Sequence, residues 1–318
     1  MKISRSKEDY AAFCATLPDL PLCCQPWYLN AVVEGGHWSV VLVIEGSQTL
    51  AALPYFHKHR LGLHYVTMPL FTKYMGVIPA PEIRHNPSPE ILQMLLNALP
   101  RFAGIDQQFS PLANDFIPLL PDSFQTFAYH THRLQLGQGQ DWRAGINRNM
   151  RRNIRKADAL LTLKTDLDLS TFYQMNELSF TRQGLFLPYS FAQLERHDQA
   201  LVKAGRRQIF AAVDAEDNIH SVAYLMWDQQ AAYYHLSGDD PALRNSGSGI
   251  WLIAQALDFT QQQLQLPIFD FEGSMIPAIA AIREQFGATK TTYYRVQQQR
   301  SYLYRALKWW RNFRVSSN

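Results

Sequence analysis

The sequence predicts an α/β (α+β) protein of two tandem units, each a mixed, twisted sheet flanked by helices. Its 318 residues exceed the usual size of one domain. Patterns typical of strands and helices are interspersed in both halves, and a short, polar, glycine-containing segment at 137–141 separates them. We therefore expect an N-terminal unit over 1–140 and a C-terminal unit over 141–318.

The composition indicates a folded protein and argues against a polycation and against a metal site built on cysteines. Hydrophobic residues make up 47% and charged residues 18%, and the formal net charge is only +3, so the chain as a whole is not a polycation. Cys14, Cys23 and Cys24 have no His or Cys at metal-ligand spacing. We expect a reduced, intracellular protein without a metal.

The sequence also predicts the cellular location of the protein. No apolar run follows the charged first residues, and no segment reaches 18 uninterrupted apolar residues. We expect neither a signal peptide nor a transmembrane helix, and predict a cytoplasmic protein with possible association with a membrane.

The predicted elements of the first unit follow the hydrophobic periods of helices and strands. Helices are predicted over 9–17, 25–32 and 89–102. Strands are predicted over 38–44, 49–56, 64–68, 74–78 and 126–136. In the helix over 89–102, apolar residues at helical spacing form one face that we expect to be buried. They are Ile91, Leu92, Leu95, Leu96 and Leu99.

The second unit is predicted by the same periods, and its strands alternate with helices. Helices are predicted over 142–161, 169–181, 191–204, 250–264, 277–286 and 302–314. Strands are predicted over 161–165, 208–214, 219–227, 231–236, 268–272 and 291–296.

A glycine-rich segment between the strand 231–236 and the helix 250–264 predicts an anion site. It consists of Arg244, Asn245, Ser246, Gly247, Ser248 and Gly249. The first N–H groups of a helix lack intrahelical partners, and the helix dipole favours negative charge there. Glycines allow a phosphate to approach the main chain, and an arginine adds a charge-assisted hydrogen bond. The motif alone is also compatible with an ordinary glycine-containing loop before a helix that binds no anion.

In this order, Arg-x-x-Gly-x-Gly with its flanking strands and helices resembles the GNAT acyltransferase fold, whose equivalent loop holds the pyrophosphate of acyl-CoA. Residues 269–274, Phe-Asp-Phe-Glu-Gly-Ser, and 149–157, Asn-Met-Arg-Arg-Asn-Ile-Arg-Lys-Ala, resemble the Fem-like branch. That branch contains peptidoglycan bridge-forming aminoacyltransferases. Residues 25–28, Gln-Pro-Trp-Tyr, are similar to the N-terminal helix of these proteins. The resemblance covers nearly the whole chain and implies two tandem GNAT-like units.

The resemblance implies a donor and roles for particular residues. The donor is acyl-CoA (acetyl-CoA) as co-substrate or, as in the bridge-forming enzymes, aminoacyl-tRNA. A backbone N–H on the strand segment ending at Leu236 would hold the oxyanion. Many GNAT enzymes place a tyrosine acid where this chain has Arg283. Tyr294, or its neighbour Tyr293, is the candidate substitute on the next strand.

Two carboxylates are candidates for receiving the proton of an amine acceptor. Asp270 and Glu272 lie two apart in a predicted strand, so we expect them on one face. Like charges held close together tend to raise one pKa, which suits a general base. A salt-bridge or capping role remains the alternative. We interpret His235 as a packed or hydrogen-bonded histidine rather than a base.

A stripe of arginines is the second charged feature. Arg148, Arg151, Arg152 and Arg155 share one face of the predicted helix, while Ile146, Met150 and Ile154 share another. Like charges on one stripe repel one another, and a bound phosphate relieves that repulsion. We expect the stripe to bind substrate phosphate, on CoA, a tRNA backbone or a lipid-linked pyrophosphate. A solvated helix face is the alternative.

The C-terminal helix predicted over 302–314 is basic and amphipathic. Arg305, Lys308, Arg311 and Arg314 alternate with apolar and aromatic residues. This pattern is typical of helices at a membrane surface, but also of terminal helices docked on a protein core. We expect possible peripheral membrane contact through this helix.

Together these features predict an N-acyltransferase that moves an acetyl or aminoacyl group to an amine, possibly on a cell-envelope precursor. The acceptor is a small-molecule or lipid-linked amine, and tRNA takes part only if the donor is aminoacyl-tRNA. The alternative is a non-catalytic module of this fold that binds an envelope glycolipid or polysaccharide precursor. RNA binding through the arginine stripe is a weaker third possibility, because no wider basic face accompanies the stripe.

Overall fold

The computed structural model describes residues 1–137, 141–273 and 276–306. The chain forms two compact units. The first contains Met1–Tyr129 and the segment Thr292–Asn318, and the second contains His130–Thr291.

In the first unit, helices cover a sheet whose strands come from both ends of the chain. The helices are α1 (Lys7–Ala15), α2 (Pro26–Val32) and α3 (Pro89–Asn97). The strands are β1 (Lys2–Ser4), β2 (His37–Glu45), β3 (Gln48–Arg60), β4 (Leu63–Thr67), β5 (Ile78–Pro79), β6 (Gly104–Phe109) and, near the end of the chain, β13 (Thr289–Gln299). The sheet order is β1-β2-β3-β4-β6-β13, and β5 pairs with β3 outside this order.

The second unit is built from the middle of the chain. Its strands are β7 (Gln125–Gln135), β8 (Thr162–Lys164), β9 (Arg207–Val213), β10 (Ile219–Trp227), β11 (Ala231–Asp239) and β12 (Ile268–Asp270). Its helices are α4 (Arg148–Asp158), α5 (Leu169–Thr181), α6 (Phe191–Lys203), α7 (Ser248–Asp258) and α8 (Pro277–Gln285). The sheet order is β7-β12-β11-β10-β9-β8.

Both sheets repeat one plan. Starting from β1 or from β8, three antiparallel pairs are followed by one parallel pair and one further antiparallel pair. The parallel pairs are β4–β6 in the first unit and β11–β12 in the second. The mixed sheets flanked by helices match the predicted fold class.

The division into units differs from the predicted boundary at residue 140. Residues of β7 from His130 onward belong to the second unit, and residues of β13 from Thr292 onward belong to the first. Hydrophobic alternation shows that a segment is a strand, but not which sheet it joins, so this exchange was not predictable from the sequence. Of the predicted linker, Gln138, Gly139 and Gln140 lie outside the described residues.

Helix ends follow local chemistry. Helix α3 buries Ile91, Leu92 and Leu95 as predicted, but ends at Asn97 rather than 102, because Pro100 cannot continue a helix. The predicted helix over 142–161 is divided. Helix α4 begins at Arg148, because the Asn147 side chain accepts a hydrogen bond from the Met150 N–H at 2.8 Å and caps the helix there.

A buried carboxylate ends β12. Asp270 has no solvent exposure. It accepts hydrogen bonds from Thr131 Oγ1, from Arg133 Nε at 2.8 Å and from the backbone N–H of Glu272 at 2.8 Å. The first two donors lie on β7, and the third closes a turn immediately after the strand. Asp270 therefore joins β7 to β12 and fixes where the chain leaves the sheet.

We predict that Asp270→Asn lowers the free energy of unfolding by about 3–5 kcal/mol, because it removes one partner of a buried ion pair. Urea denaturation of wild type and variant measures this loss. The control is Asp217→Asn, which breaks an exposed ion pair with Lys164 (2.7 Å) and should have little effect. Equal stability of the two variants would show that the Asp270 carboxylate does not hold these strands together.

Candidate functional site

The glycine-rich segment forms the N-terminus of α7. Gly247 has φ +78°, a left-handed conformation that side chains rarely adopt, and it lies immediately before the helix. The Ser248 N–H donates to Ser246 Oγ at 3.3 Å. The next two N–H groups, of Gly249 and Ile250, have no hydrogen-bond partner among the described residues. A Cβ added to Gly249 would meet nothing within 4 Å, so a ligand can approach the main chain there.

Strands β11 and β12 part beside this helix end. Their parallel pairing ends at Tyr233 and Asp270, whereas β11 continues to Asp239. Between β10 and β11 the register shifts so that Tyr224 pairs with Leu236 and Leu225 with Tyr234. His235 is the additional residue of this bulge. The bulge and the loss of the β12 partner expose the backbone of β11 at the segment predicted to hold an oxyanion.

Glu272 enters the space between the two strands. The predicted shared face with Asp270 is not formed, because β12 ends at Asp270 and Glu272 has φ +57°. Its N–H is held by Asp270 at 2.8 Å, and its carbonyl accepts from Arg283 Nη1 at 2.5 Å. Non-glycine residues with positive φ are uncommon and cluster at functional sites.

The Glu272 side chain is positioned by a histidine. Its Oε2 lies 3.2 Å from His235 Nδ1, and the two side chains are 16% and 6% exposed. Its second oxygen, Oε1, is buried and has no hydrogen-bond partner in the described part of the chain. A buried carboxylate oxygen without a donor can accept a proton or a hydrogen bond from a ligand.

Arg283 and Tyr234 complete this side of the space. Burial lowers the pKa of Arg283, and the Glu272 carboxylate opposes that change. Burial raises the pKa of the Tyr234 hydroxyl well above its usual range, which keeps it protonated at neutral pH. The residue that replaces the expected tyrosine acid is thus a cation that anchors the Glu272 backbone, and a tyrosine from another strand lies in the same cavity.

These groups line one cavity of about 490 Å³ within the second unit. Its walls come from β11, the N-terminus of α7, the segment after β12, and α8. The lining includes Arg182, Tyr234, His235, Ser237, Asp239, Arg244, Gly247, Ser248, Gly249, Ile250, Ile253, Phe271, Glu272, Ile279, Ile282 and Arg283. The residues of a helix N-terminus and Glu272 therefore line the same space.

Other predicted site residues lie elsewhere. Asn245, Ser246 and Leu236 do not line the cavity, although Ser246 caps the Ser248 N–H. Tyr294 pairs with Phe109 of β6 and packs against the core of the first unit, and Tyr293 is buried beside Tyr74 in the same unit. Asp270 is buried in the sheet. The structure thus brings Glu272, but not Asp270 or Tyr294, to the cavity.

The arginine stripe lies on α4, in the same unit. Arg148, Arg151, Arg152 and Arg155 are all exposed. Within the described residues, none of them forms an ion pair with a carboxylate. Ile146 and Met150 are buried and Ile154 packs on the core, as the periodicity predicts. Helix α4 passes close to Gly247: a Cβ added there would lie 3.9 Å from Asn153 O and from Ala157 Cβ.

Some expected features fall outside the described residues. Of the basic residues of the C-terminal helix, Lys308, Arg311 and Arg314 lie beyond residue 306, and Ser274 follows the described part of the 269–274 motif. In the described ranges, no helix combines the length and the apolar character needed to cross a bilayer. In the same ranges, no three His, Cys, Asp or Glu side chains are grouped to hold a metal ion.

The sequence did not predict the surroundings of two cavity residues. The prediction that His235 packs or forms a hydrogen bond agrees with its contact with Glu272 Oε2, but a single histidine in an apolar strand carries no sign of the bulge. Tyr234 was expected in the strand, and its place in the cavity was not predicted.

Comparisons with known proteins agree with this geometry. Residues 144–275 match the family model described as an acetyltransferase (GNAT) domain. No curated protein matches the sequence.

Solved structures share the fold along nearly the whole chain. FemX is 13% identical, with a TM-score of 0.69 over 92% of this chain and 97% of that chain. A tandem GNAT protein from the clavulanic acid biosynthesis pathway is 11% identical, with a TM-score of 0.55 over 93% and 97%. The C-terminal domain of a putative lysylphosphatidylglycerol synthetase from Agrobacterium fabrum is 11% identical, with a TM-score of 0.55 over 92% and 92%.

The predicted fold class is thereby confirmed, and so is the prediction of a GNAT-type acyltransferase domain. At these identities the structural likeness establishes the fold, while the family model covers the part of the chain that forms the cavity. Residues 144–275 thus match a GNAT acetyltransferase domain, and the chain has the Fem-like tandem GNAT fold.

Proposed function

We propose that the protein is an N-acyltransferase that moves an acetyl or aminoacyl group from acyl-CoA or aminoacyl-tRNA to an amine. One observation carries this proposal. Gly249 and Ile250, whose N–H groups have no partner in the described residues, line the same cavity as Glu272, whose Oε1 has none there either. With the donor phosphate at the helix end and the amine at the carboxylate, the acyl group of the donor would reach the amine between the parted strands.

Donor binding is inferred from the charge and the open space at the N-terminus of α7. Both candidate donors carry phosphates: CoA at the far end of its pantetheine arm from the acyl group, and aminoacyl-tRNA in the chain that ends in the acylated ribose. The N-terminus of α7 offers two N–H donors and a favourable dipole, and Arg244 lines the same cavity. Arg244 Nε lies 3.0 Å from Asp239 Oδ2. A phosphate bound in the cavity would compete with this carboxylate for the Arg244 guanidinium.

The acceptor half rests on Glu272. In the proposed reaction, the amine nitrogen forms a bond to the acyl carbon, and the amine proton passes to Glu272 Oε1. The His235 ring fixes the carboxylate through Oε2. A backbone N–H of the β11 bulge stabilises the oxyanion of the tetrahedral intermediate. The bond from the acyl carbon to the donor sulfur or ribose oxygen then breaks.

We assign protonation of the leaving group to Tyr234. Tyr234 lines the cavity, and a tyrosine hydroxyl is protonated at neutral pH. Arg283 carries no proton that it can release near neutral pH, but its charge lies where a thiolate or alkoxide would form. Tyr234 thus takes the role that the sequence suggested for Tyr294.

The arginine stripe of α4 remains a proposed phosphate site. Its four exposed guanidinium groups have no carboxylate partner in the described residues, and α4 lies beside Gly247. A polyanionic substrate held at the α7 end can extend onto this helix. An aminoacyl-tRNA, or an envelope precursor with a pyrophosphate, has the necessary charge.

Two of the similar structures suggest a class of acceptor. The first is named FemX, and the second belongs to a putative lysylphosphatidylglycerol synthetase. Both names are consistent with amine or lipid acceptors of the cell envelope, and we propose this class for the present chain.

The alternative is a non-catalytic module of the same fold. Arg283 at the position expected for a tyrosine acid favours it. The free Glu272 oxygen counts against it, because a module that only binds does not need a buried carboxylate without a donor.

Titration calorimetry with CoA and acetyl-CoA tests the donor. We expect both ligands to bind, with an affinity that declines as the salt concentration rises, because the contacts are ionic. Absence of binding at millimolar CoA would remove acyl-CoA as the donor and leave aminoacyl-tRNA.

A second prediction concerns the main chain at the helix end. Gly249→Leu should raise the donor Kd by about tenfold or more, because the side chain blocks hydrogen bonds to a charged phosphate. The thermal midpoint should not fall, since leucine favours helix and the Cβ position is open. Gly145→Leu is the control, because its Cβ position is also open and it lies outside the cavity. An unchanged donor Kd for Gly249→Leu would refute phosphate binding at this end of α7.

A third prediction separates chemistry from binding. Glu272→Gln should lower kcat by about 10²–10⁴-fold, the usual contribution of a general base, and leave the donor Kd unchanged. Glu284→Gln is the control, because that exposed carboxylate on α8 pairs with Lys290 at 3.3 Å outside the cavity. Equal kcat values for wild type and Glu272→Gln would show that Glu272 is not the general base, whereas a wild type without turnover would favour the non-catalytic module.

A further inference from the structure

Helix α5 ends in a turn that presents two apolar side chains to solvent. Phe186 is 90% exposed and Leu185 is 48% exposed. Both lie in the connection between α5 and α6, where Gly184 has φ +70°. We call Leu185 and Phe186 the apolar tip.

The turn is fixed at its first end. The N–H of Gly184 donates to Thr181 O, and that of Leu185 donates to Phe180 O at 3.0 Å. Together with the left-handed conformation of Gly184, these two hydrogen bonds end the helix in a Schellman-type motif. Such motifs usually bury the residue after the glycine against the last turn. Here that residue, Leu185, remains half exposed.

The second end is fixed as well. The Tyr189 side chain is buried, and its hydroxyl donates to Asn176 Oδ1 on α5. The next residue, Ser190, starts α6 with a capping box in which Ser190 and Gln193 exchange hydrogen bonds. The tip is therefore held outward by ordered structure at both ends.

Basic groups adjoin the tip. Arg182 lies in the same turn and lines the cavity, and its Nη1 is 3.7 Å from Asp239 Oδ2. The same Asp239 oxygen contacts Arg244, which precedes the N-terminus of α7, and α4 passes beside Gly247 with four exposed arginines that have no carboxylate partner in the described residues. Arg182 and Arg244 thus share Asp239 at the cavity, and the α4 arginines lie on a helix that contacts the same glycine-rich segment.

We propose that the apolar tip inserts into the surface of an anionic lipid bilayer while these arginines contact the lipid head groups. Phenylalanine and leucine beside arginines is the composition of segments that lie in a membrane interface. Anionic lipids attract nearby basic residues within a Debye length of the surface. Bound in this way, the protein presents the cavity mouth to amines at the lipid surface.

The shape of the tip favours lipid over a protein partner. A stable protein interface buries about 800 Å² on each side, built around a packed apolar centre. Two side chains on a narrow turn provide much less than that area. A fluid interface accepts a single projecting phenylalanine without a complementary pocket.

This inference goes beyond the proposed reaction and does not require it. Lipid binding is measured without donor or acceptor, so loss of turnover and loss of lipid binding are separate results. It also differs from the membrane contact expected for the C-terminal helix, because it concerns another surface.

Co-sedimentation of the full chain with phosphatidylcholine vesicles, with and without phosphatidylglycerol, tests the inference. We expect binding to the anionic vesicles that weakens in high salt. Phe186→Asn should lower the partition coefficient by about tenfold, because it removes most of the apolar area of the tip. The thermal midpoint should stay unchanged, since Phe186 has few contacts to lose.

The matched control is Leu61→Asn. Leu61 is 66% exposed at a turn of the first unit and has φ +51°, which asparagine tolerates. This variant should bind vesicles as wild type does. Equal binding of wild type and Phe186→Asn would overturn the inference, and would assign any membrane contact to another segment. A change from oligomer to monomer in Phe186→Asn would also overturn it, because the tip would then cover a second copy of the chain.

Discussion

The buried carboxylate of Asp270 is the interaction on which the site depends. Its oxygens accept hydrogen bonds from the side chains of Thr131 and Arg133 on β7 and from the backbone N–H of Glu272. Without that third bond, β12 could continue beside β11, and Glu272 would follow the alternation of the strand. Because the strand stops at Asp270, Glu272 takes its positive φ and turns into the cavity.

The cavity separates two electrostatic tasks. In the proposed reaction, the end of α7 supplies N–H groups and a positive dipole to the donor, while Glu272, held by His235, accepts the amine proton. Arg283 donates a hydrogen bond to the Glu272 carbonyl, and in the same proposal its charge stabilises the leaving group. The proposal thus places a phosphate-bearing donor and an amine at different walls of one space, which suits a transfer reaction.

Much of this arrangement was predictable from residues that act locally. The order strand, glycine-rich turn and helix gave the α7 site, and apolar spacing gave the buried face of α4. Features that depend on tertiary pairing were not predictable. The bulge at His235 and the exchange of β7 and β13 between units leave no periodic trace. The two-residue spacing of Asp270 and Glu272 was misleading, because a side-chain hydrogen bond ends the strand between them.

Hydrogen exchange of the backbone amides at the start of α7 reports directly on phosphate binding at this helix end. The measurement applies equally to CoA and to aminoacyl-tRNA, and it does not depend on turnover. A saturating donor should slow exchange of the Gly249 and Ile250 amides, because both N–H groups then donate to phosphate. Unchanged exchange at these two amides, with donor binding shown independently, would contradict phosphate binding at this helix end.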